Sequence, residues 1–97
     1  VETISKVTAT KCILGVSGIG GNGQMTSFIL PETQVNQLML QNCNGEKIIV
    51  AEGGKIGITQ NFYFGTISEA THLVTDSTAD QELLERYRAA GVSTIII

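Results

Sequence analysis

The stretch His72–Ile97, HLVTDSTADQELLERYRAAGVSTIII, carries the clearest structural signal in the chain. His72-Leu73-Val74-Thr75 is a short apolar run of the kind that forms a buried strand, and Asp76-Ser77 leaves it. Thr78, with Gln81 three residues on, has the spacing of a capping box and predicts a helix that starts there. Leu83, Leu84, Tyr87 and Ala90 fall on its apolar face, and Gly91 ends it. Val92 to Ile97 then reads as a further strand. Strand, helix, strand in close succession predicts a right-handed crossover between two parallel strands.

Upstream, the same pattern occurs once more. Lys11-Cys12-Ile13-Leu14-Gly15-Val16-Ser17 is a buried strand, and a loop rich in glycine runs from Gly18 to about Ser27. Pro31 and Glu32 suit the first turn of a helix, Val35, Leu38, Met39 and Asn42-Cys43 continue its stripe, and Asn44-Gly45 stops it. Ile48-Ile49-Val50-Ala51 is the next buried strand, leaving through Glu52-Gly53-Gly54-Lys55-Ile56-Gly57. Ile58 to Glu69 is less regular and holds Phe62-Tyr63-Phe64, which read as core or interface packing. The expected class is α/β, an open, mostly parallel sheet built from two βαβ units.

Ninety-seven residues make a single domain. Hydrophobic residues at 42% and charged residues at 15% exclude a disordered tail. With no tryptophan and 5% aromatics, the core must be mainly Ile, Val and Leu. The net charge is −3, and the six basic residues, Lys6, Lys11, Lys47, Lys55, Arg86 and Arg88, are scattered. Duplex binding needs several cations on one face, so this chain is not expected to bind DNA by itself. No apolar run approaches the roughly 18 residues of a membrane span, and no secretory leader is visible. Cys12 and Cys43 form no CxxC pair and read as buried, reduced thiols of a cytoplasmic protein. A start at Val1 and an end inside the apparent strand Ile95-Ile96-Ile97 suggest a piece of something longer.

Gly18-Ile19-Gly20-Gly21-Asn22-Gly23 satisfies the dinucleotide pattern G-x-G-x-x-G, but its context does not. That motif needs a helix starting within the glycine loop, whereas Gln24 to Ile29 is extended in character and the helix waits for Pro31. A loop at the rim of a ligand site and a plain connection remain the two readings. In an open parallel sheet, ligands sit at the carboxyl ends of the strands. Those ends offer Ser17 and Gly18, then Glu52, Gly53, Gly54 and Lys55, then Thr75, Asp76 and Ser77, with Glu32 approaching across the glycine loop. Turn amides, one ammonium and a few carboxylates suit a phosphorylated polyol. On position alone, Lys55 also reads as a solvated surface lysine and Asp76 as a residue that opens a helix. His72 is the only histidine and has no nucleophile at a suggestive spacing, so no catalytic residue is assigned. One His and two separated Cys make no metal site, and no cofactor is implied.

Lys11-Cys12-Ile13-Leu14-Gly15-Val16-Ser17-Gly18-Ile19, Gly23, Glu32, Ala51-Glu52-Gly53-Gly54-Lys55-Ile56-Gly57 and Leu73-Val74-Thr75-Asp76 occur in an order that resembles the C-terminal effector domain of DeoR-type transcriptional repressors. The resemblance covers nearly the whole chain. It implies a bacterial, cytoplasmic repressor with an N-terminal winged helix-turn-helix outside this chain, through which alone operator DNA would be contacted. It also implies a homo-oligomer whose effector is a phosphorylated sugar or sugar derivative. The implied sensor fold is similar to ribose-5-phosphate isomerase and glucosamine-6-phosphate deaminase, and residues 1–97 would form the C-terminal part of that larger domain. Carried over by position, the ligand-binding residues are Lys55, Glu32 and Asp76, with Glu52 beside them and Gly18 and Gly57 shaping the loops. Glu52 stands for the family's usual Asp, Gly53-Gly54 for two serines, and Thr10 where an Asp often precedes the lysine. The glycine pair predicts a Lys55 loop that orders on ligand binding. Two alternative readings are a fragment of a sugar-phosphate isomerase or deaminase-like enzyme, which shares the fold, and an oligomerisation module without a ligand.

Overall fold

The structure, a computed structural model, describes residues 9–97. Of the basic residues named above, Lys6 lies outside the described part. The elements run β1 (Ala9–Gly15), β2 (Gly18–Ile19), β3 (Gln24–Ser27), α1 (Leu30–Gln41), β4 (Cys43–Val50), a 3-10 turn (Gly53–Lys55), β5 (Phe62–Thr66), a second 3-10 turn (Ile67–Glu69), β6 (His72–Thr75), α2 (Gln81–Ala89) and β7 (Ser93–Ile96). The expected parallel sheet is present, with β1, β4, β6 and β7 side by side in chain order and every pair parallel.

Chain order and spatial order coincide, so both helical crossovers step in the same direction across the sheet. With the right-handed sense such connections take, both helices fall on one face. Burial follows. Leu14, Ile49 and Leu73 lie abreast on the covered face and are 7%, 0% and 0% exposed. Each such side chain contributes about 1.5–3 kcal/mol by leaving water. Ile13, Val50 and Ile95 project from the opposite face and are 65%, 41% and 45% exposed.

Three local expectations are corrected. The first helix ends at Gln41 and Cys43 already belongs to β4. Asn42 is the reason: both its backbone N–H and its side-chain amide donate to the Leu38 carbonyl, at 3.0 Å each, satisfying the last turn. Asn44-Gly45 instead lie in β4, where three steps along β4 answer two along β1, an irregularity opposite Ala9–Lys11. The buried residues of α1 are Thr33, Asn36 and Leu40 rather than the Val35–Leu38–Met39 stripe.

The second helix begins at Gln81, and its cap is Asp80, whose carboxylate accepts the N–H groups of Glu82 at 2.9 Å and Leu83 at 3.3 Å. Thr78 cannot serve, because its own N–H and hydroxyl are held by Asp76. Leu84 and Tyr87 are the buried residues of α2, while Ala90 is exposed. Gly91, at φ +97°, ends the helix as expected.

The third correction concerns the glycine segment, which is a β-hairpin. β2 and β3 pair antiparallel, β3 pairs with β5, and these strands form a second, three-stranded sheet. Gly23 makes the tip possible: its φ is +87°, and a Cβ there would press into the Ile67 side chain. Phe64 in β5 is buried, whereas Tyr63 is exposed.

Candidate functional site

The ladder of the parallel sheet continues past the strand ends. Val16 N–H donates to the Val50 carbonyl at 3.2 Å, and Ala51 N–H donates to that of Val74 at 3.1 Å. These bonds align the exits of β1, β4 and β6 along one edge. At the middle exit the chain makes a tight 3-10 turn in which Lys55 N–H reaches the Glu52 carbonyl at 2.9 Å. Glu52, Gly54 and Lys55 are exposed on this turn and Gly53 is buried. Among the described residues, Lys55 enters no ion pair.

Asp76 fixes the turn from the neighbouring exit. One carboxylate oxygen accepts Gly53 N–H at 3.0 Å, and the other accepts the Thr78 N–H at 2.9 Å together with the Thr78 hydroxyl. The Thr78 hydroxyl first, then the two backbone amides, hold the Asp76 carboxyl below the usual carboxylate range. Gly53 is required by this clamp, since a Cβ would collide with the Asp76 carboxylate, the Thr78 hydroxyl and the Ala79 N–H. The glycine pair therefore divides its roles. Gly53 is locked against the β6 exit, while Gly54 has open space around it.

Beyond Lys55 the chain meets the hairpin: Ile56 bridges to Ile19, and Gly57 N–H donates to the Ile19 carbonyl at 2.6 Å. Gly18 is buried inside β2, paired with Thr26, whose hydroxyl donates to the Gly18 carbonyl at 3.1 Å. It lies in the same strand as Ile19, the residue that bridges to Ile56 just after the Lys55 turn. Glu32 is exposed in the first turn of α1. As a crossover helix starts at the carboxyl edge, Glu32 lies on the same side of the sheet, but no hydrogen bond or ion pair ties it to the others among the described residues. The structure thus joins Glu52, Lys55, Asp76 and, through Ile19, Gly18, and leaves Glu32 at the rim.

Two further residues belong to this edge: Gln60, which carried no sequence signal, and Thr75, which the sequence already places at the end of its strand. Gln60 donates its backbone N–H to Thr26 Oγ1 at 2.8 Å and its side-chain amide to the Ser17 carbonyl at 3.3 Å, pinning the segment after Gly57 to the β1 exit. Thr75, at the end of β6, is 2% exposed and its hydroxyl has no partner among the described residues. A buried hydroxyl without a partner costs about 1–3 kcal/mol.

Residues 1–77 match the DeoR C-terminal sensor domain. The chain belongs to that family. The match takes in the sheet through β6 and all of Gly18, Glu32, Glu52, Lys55 and Asp76, and it stops before α2 and β7. No curated protein matches the chain. A DeoR sensor domain is the effector-binding, regulatory part of a DeoR-type regulator, and the mixed α/β architecture with its parallel sheet agrees with that assignment. No helix among the described residues is long and apolar enough to cross a membrane.

Proposed function

We propose that this chain senses a phosphorylated sugar on behalf of a DeoR-type transcriptional repressor of sugar metabolism. The observation that carries the reading is the Lys55 turn. It presents an ammonium with no ion pair among the described residues, on backbone clamped by Asp76, at the carboxyl edge of a parallel sheet in a sensor-domain family. An ammonium beside turn amides receives a phosphate with little reorganisation, and the Glu52 and Glu32 carboxylates accept hydrogen bonds from sugar hydroxyls. In this arrangement Asp76 acts by positioning the turn, and its carboxylate retains lone pairs for the ligand.

The apolar sheet face exposing Ile13, Val50 and Ile95 supports a larger sensor domain of which residues 1–97 are the C-terminal part, because parallel sheets are ordinarily covered on both faces. Operator DNA would be contacted by a winged helix-turn-helix outside these residues, in the bacterial cytoplasm, by a homo-oligomer.

The test is calorimetric titration of the chain with a panel of pentose and hexose phosphates, for the wild type and Lys55→Ala. A charge-assisted hydrogen bond contributes roughly 1.5–3 kcal/mol, so the variant is expected to bind about tenfold more weakly or worse. Folding should be nearly unchanged, since exposed substitutions cost within about 0.5 kcal/mol. Equal affinities in the two proteins would remove Lys55 from the site.

A further inference from the structure

A concavity lies away from the carboxyl-edge residues, none of which lines it. It encloses about 380 Å³ between the tip of the β2–β3 hairpin, the 3-10 turn after β5 and the last turns of α2. Its walls are bonded to one another behind the opening. Ile67 N–H donates to the Gly23 carbonyl at 2.7 Å, tying the 3-10 turn to the hairpin. Tyr87, 2% exposed, donates its hydroxyl to the Gly20 carbonyl at 2.8 Å, tying α2 to the same hairpin. The shape is therefore built into the fold.

The chemistry of the lining is uneven in a consistent direction. Ile67, Ala90 and the Tyr87 ring supply apolar surface, and every other side-chain group brought to the wall can donate a hydrogen bond. Arg86 stands at the wall with a single loose ion pair, one nitrogen 3.5 Å from Glu82, so most of its donors have no partner among the described residues. The Thr66 and Ser68 hydroxyls are 2.9 Å apart. One bond between two hydroxyls consumes one proton, leaving the other to donate outward. The Gly21 and Asn22 amides at the hairpin tip donate to no backbone carbonyl among the described residues. Several acceptors beside the wall are occupied: the α2 carbonyls of Arg86, Tyr87 and Arg88 take the N–H groups of Ala90, Val92 and Gly91 at 3.2, 3.2 and 3.0 Å, and the Glu69 carboxylate takes the Thr66 N–H at 2.8 Å.

We propose that this cavity is a second ligand site, for a small organic anion whose carboxylate or phosphate meets Arg86, the Thr66–Ser68 hydroxyls and the hairpin-tip amides, with a short carbon body on Ile67 and Ala90. Its volume is at the lower end of the about 300–1,000 Å³ usual for ligand pockets, which limits the ligand to a small one. The site is independent of the Lys55 turn and stands whether or not that turn binds a sugar phosphate.

Amide-resolved NMR titration of the 97-residue chain tests it, with inorganic phosphate, glycerol 3-phosphate and butyrate as probes. Saturable shifts are expected at Gly21, Asn22 and Ser68 with at least one probe. Response to butyrate identifies a carboxylate site and response only to the phosphates a phosphate site. Arg86→Gln and, separately, Ser68→Glu should raise the midpoint about tenfold or more, whereas Lys55→Ala should leave it in place. Both altered residues are exposed, so amide dispersion elsewhere will report an intact fold. Absence of saturable shifts at these amides with all three probes, or a midpoint unmoved by both cavity variants, overturns the proposal.

Discussion

Asp76 stands at the junction of two strand exits, and its carboxylate is shared between them. It accepts Gly53 N–H from the β4 side and the Thr78 amide and hydroxyl from its own. Its carboxyl is held below the ordinary 3.8. A group whose folded pKa is depressed contributes stability that is present above its unfolded pKa and lost as pH falls through the folded value. We predict that the wild type loses part of its stability below about pH 4 and that Asp76→Asn loses less over that range while starting from a lower stability at neutral pH. Urea denaturation of both proteins at several pH values checks this. Parallel acid limbs would show that the carboxylate contributes nothing to the clamp. The same residue shows how far local pattern reading goes. Asp76-Ser77-Thr78 all favour helix caps, and Thr78 with Gln81 has capping-box spacing, yet Asp80 caps α2. Thr78 is captured by the carboxylate of Asp76, two residues before it, and that carboxylate also reaches Gly53, 23 residues from Asp76, a contact no local window contains.

At the scale of elements, α1 is the least orthodox. Its buried positions Thr33, Asn36 and Leu40 are spaced as one helical stripe, but two of the three are polar. Thr33 resolves its hydroxyl by donating to the Ile29 carbonyl at 3.0 Å. Asn36, 7% exposed, leaves its side-chain NH₂ without a partner among the described residues. An unpaired buried donor carries its full desolvation penalty, whereas an apolar group of similar shape does not. We predict that Asn36→Leu stabilises the chain by about 1 kcal/mol, seen as a higher urea midpoint at unchanged slope. A lower midpoint would mean that Asn36 has a polar partner that this element does not show. The apolar residues Val35, Leu38 and Met39 misdirect the eye because they are only half-buried and flank the contact. The hairpin escaped a sequence reading for a related reason. Gly18, Gly20, Gly21 and Gly23 advertise freedom, but Gly18 pairs with Thr26, Gly20 N–H donates to the Gln24 carbonyl and Gly23 N–H to that of Gly20, which closes the hairpin.

For the whole molecule, alkaline pH and concentration are the informative variables. Burial first, then the adjacent Cys43 thiol, push the Cys12 thiol from 9.0 up to about 11. Burial also pushes the Tyr87 hydroxyl from 10.0 up to about 12. Both raised values act in one direction: between pH 9 and 12 the unfolded chain releases protons that the folded chain keeps, so stability is full below pH 9 and declines as pH rises through that window. Tyr87→Phe is expected to flatten the upper part of the decline in a pH series of thermal melts, and an unchanged profile would refute its share. Concentration matters because the sheet keeps one apolar face uncovered and two outer strands, β1 and β7, each paired on one side only among the described residues. Open strand edges and exposed Ile and Val template association. We predict dimers or larger species in light scattering at micromolar concentrations, and a strictly monomeric particle throughout would refute this.

Apolar runs at Lys11–Ser17, Ile48–Ala51, His72–Thr75 and Val92–Ile97, spaced by helical segments, were enough to read a parallel α/β sheet, because burial on a sheet and on a helix imposes different periods on the same side chains. Chain order then implied crossovers, and crossovers implied a carboxyl edge holding Glu52, Lys55 and Asp76, since handedness is a local steric property of L-residues. Long-range contacts settled the rest. The hairpin depends on a partner strand at Phe62–Thr66, the rigid half of the glycine pair on Asp76, and the cavity beside Arg86 on three elements whose mutual bonds join residues up to 67 apart. A hydrogen bond between residues so distant leaves no periodicity in the chain, so only the folded arrangement contains it.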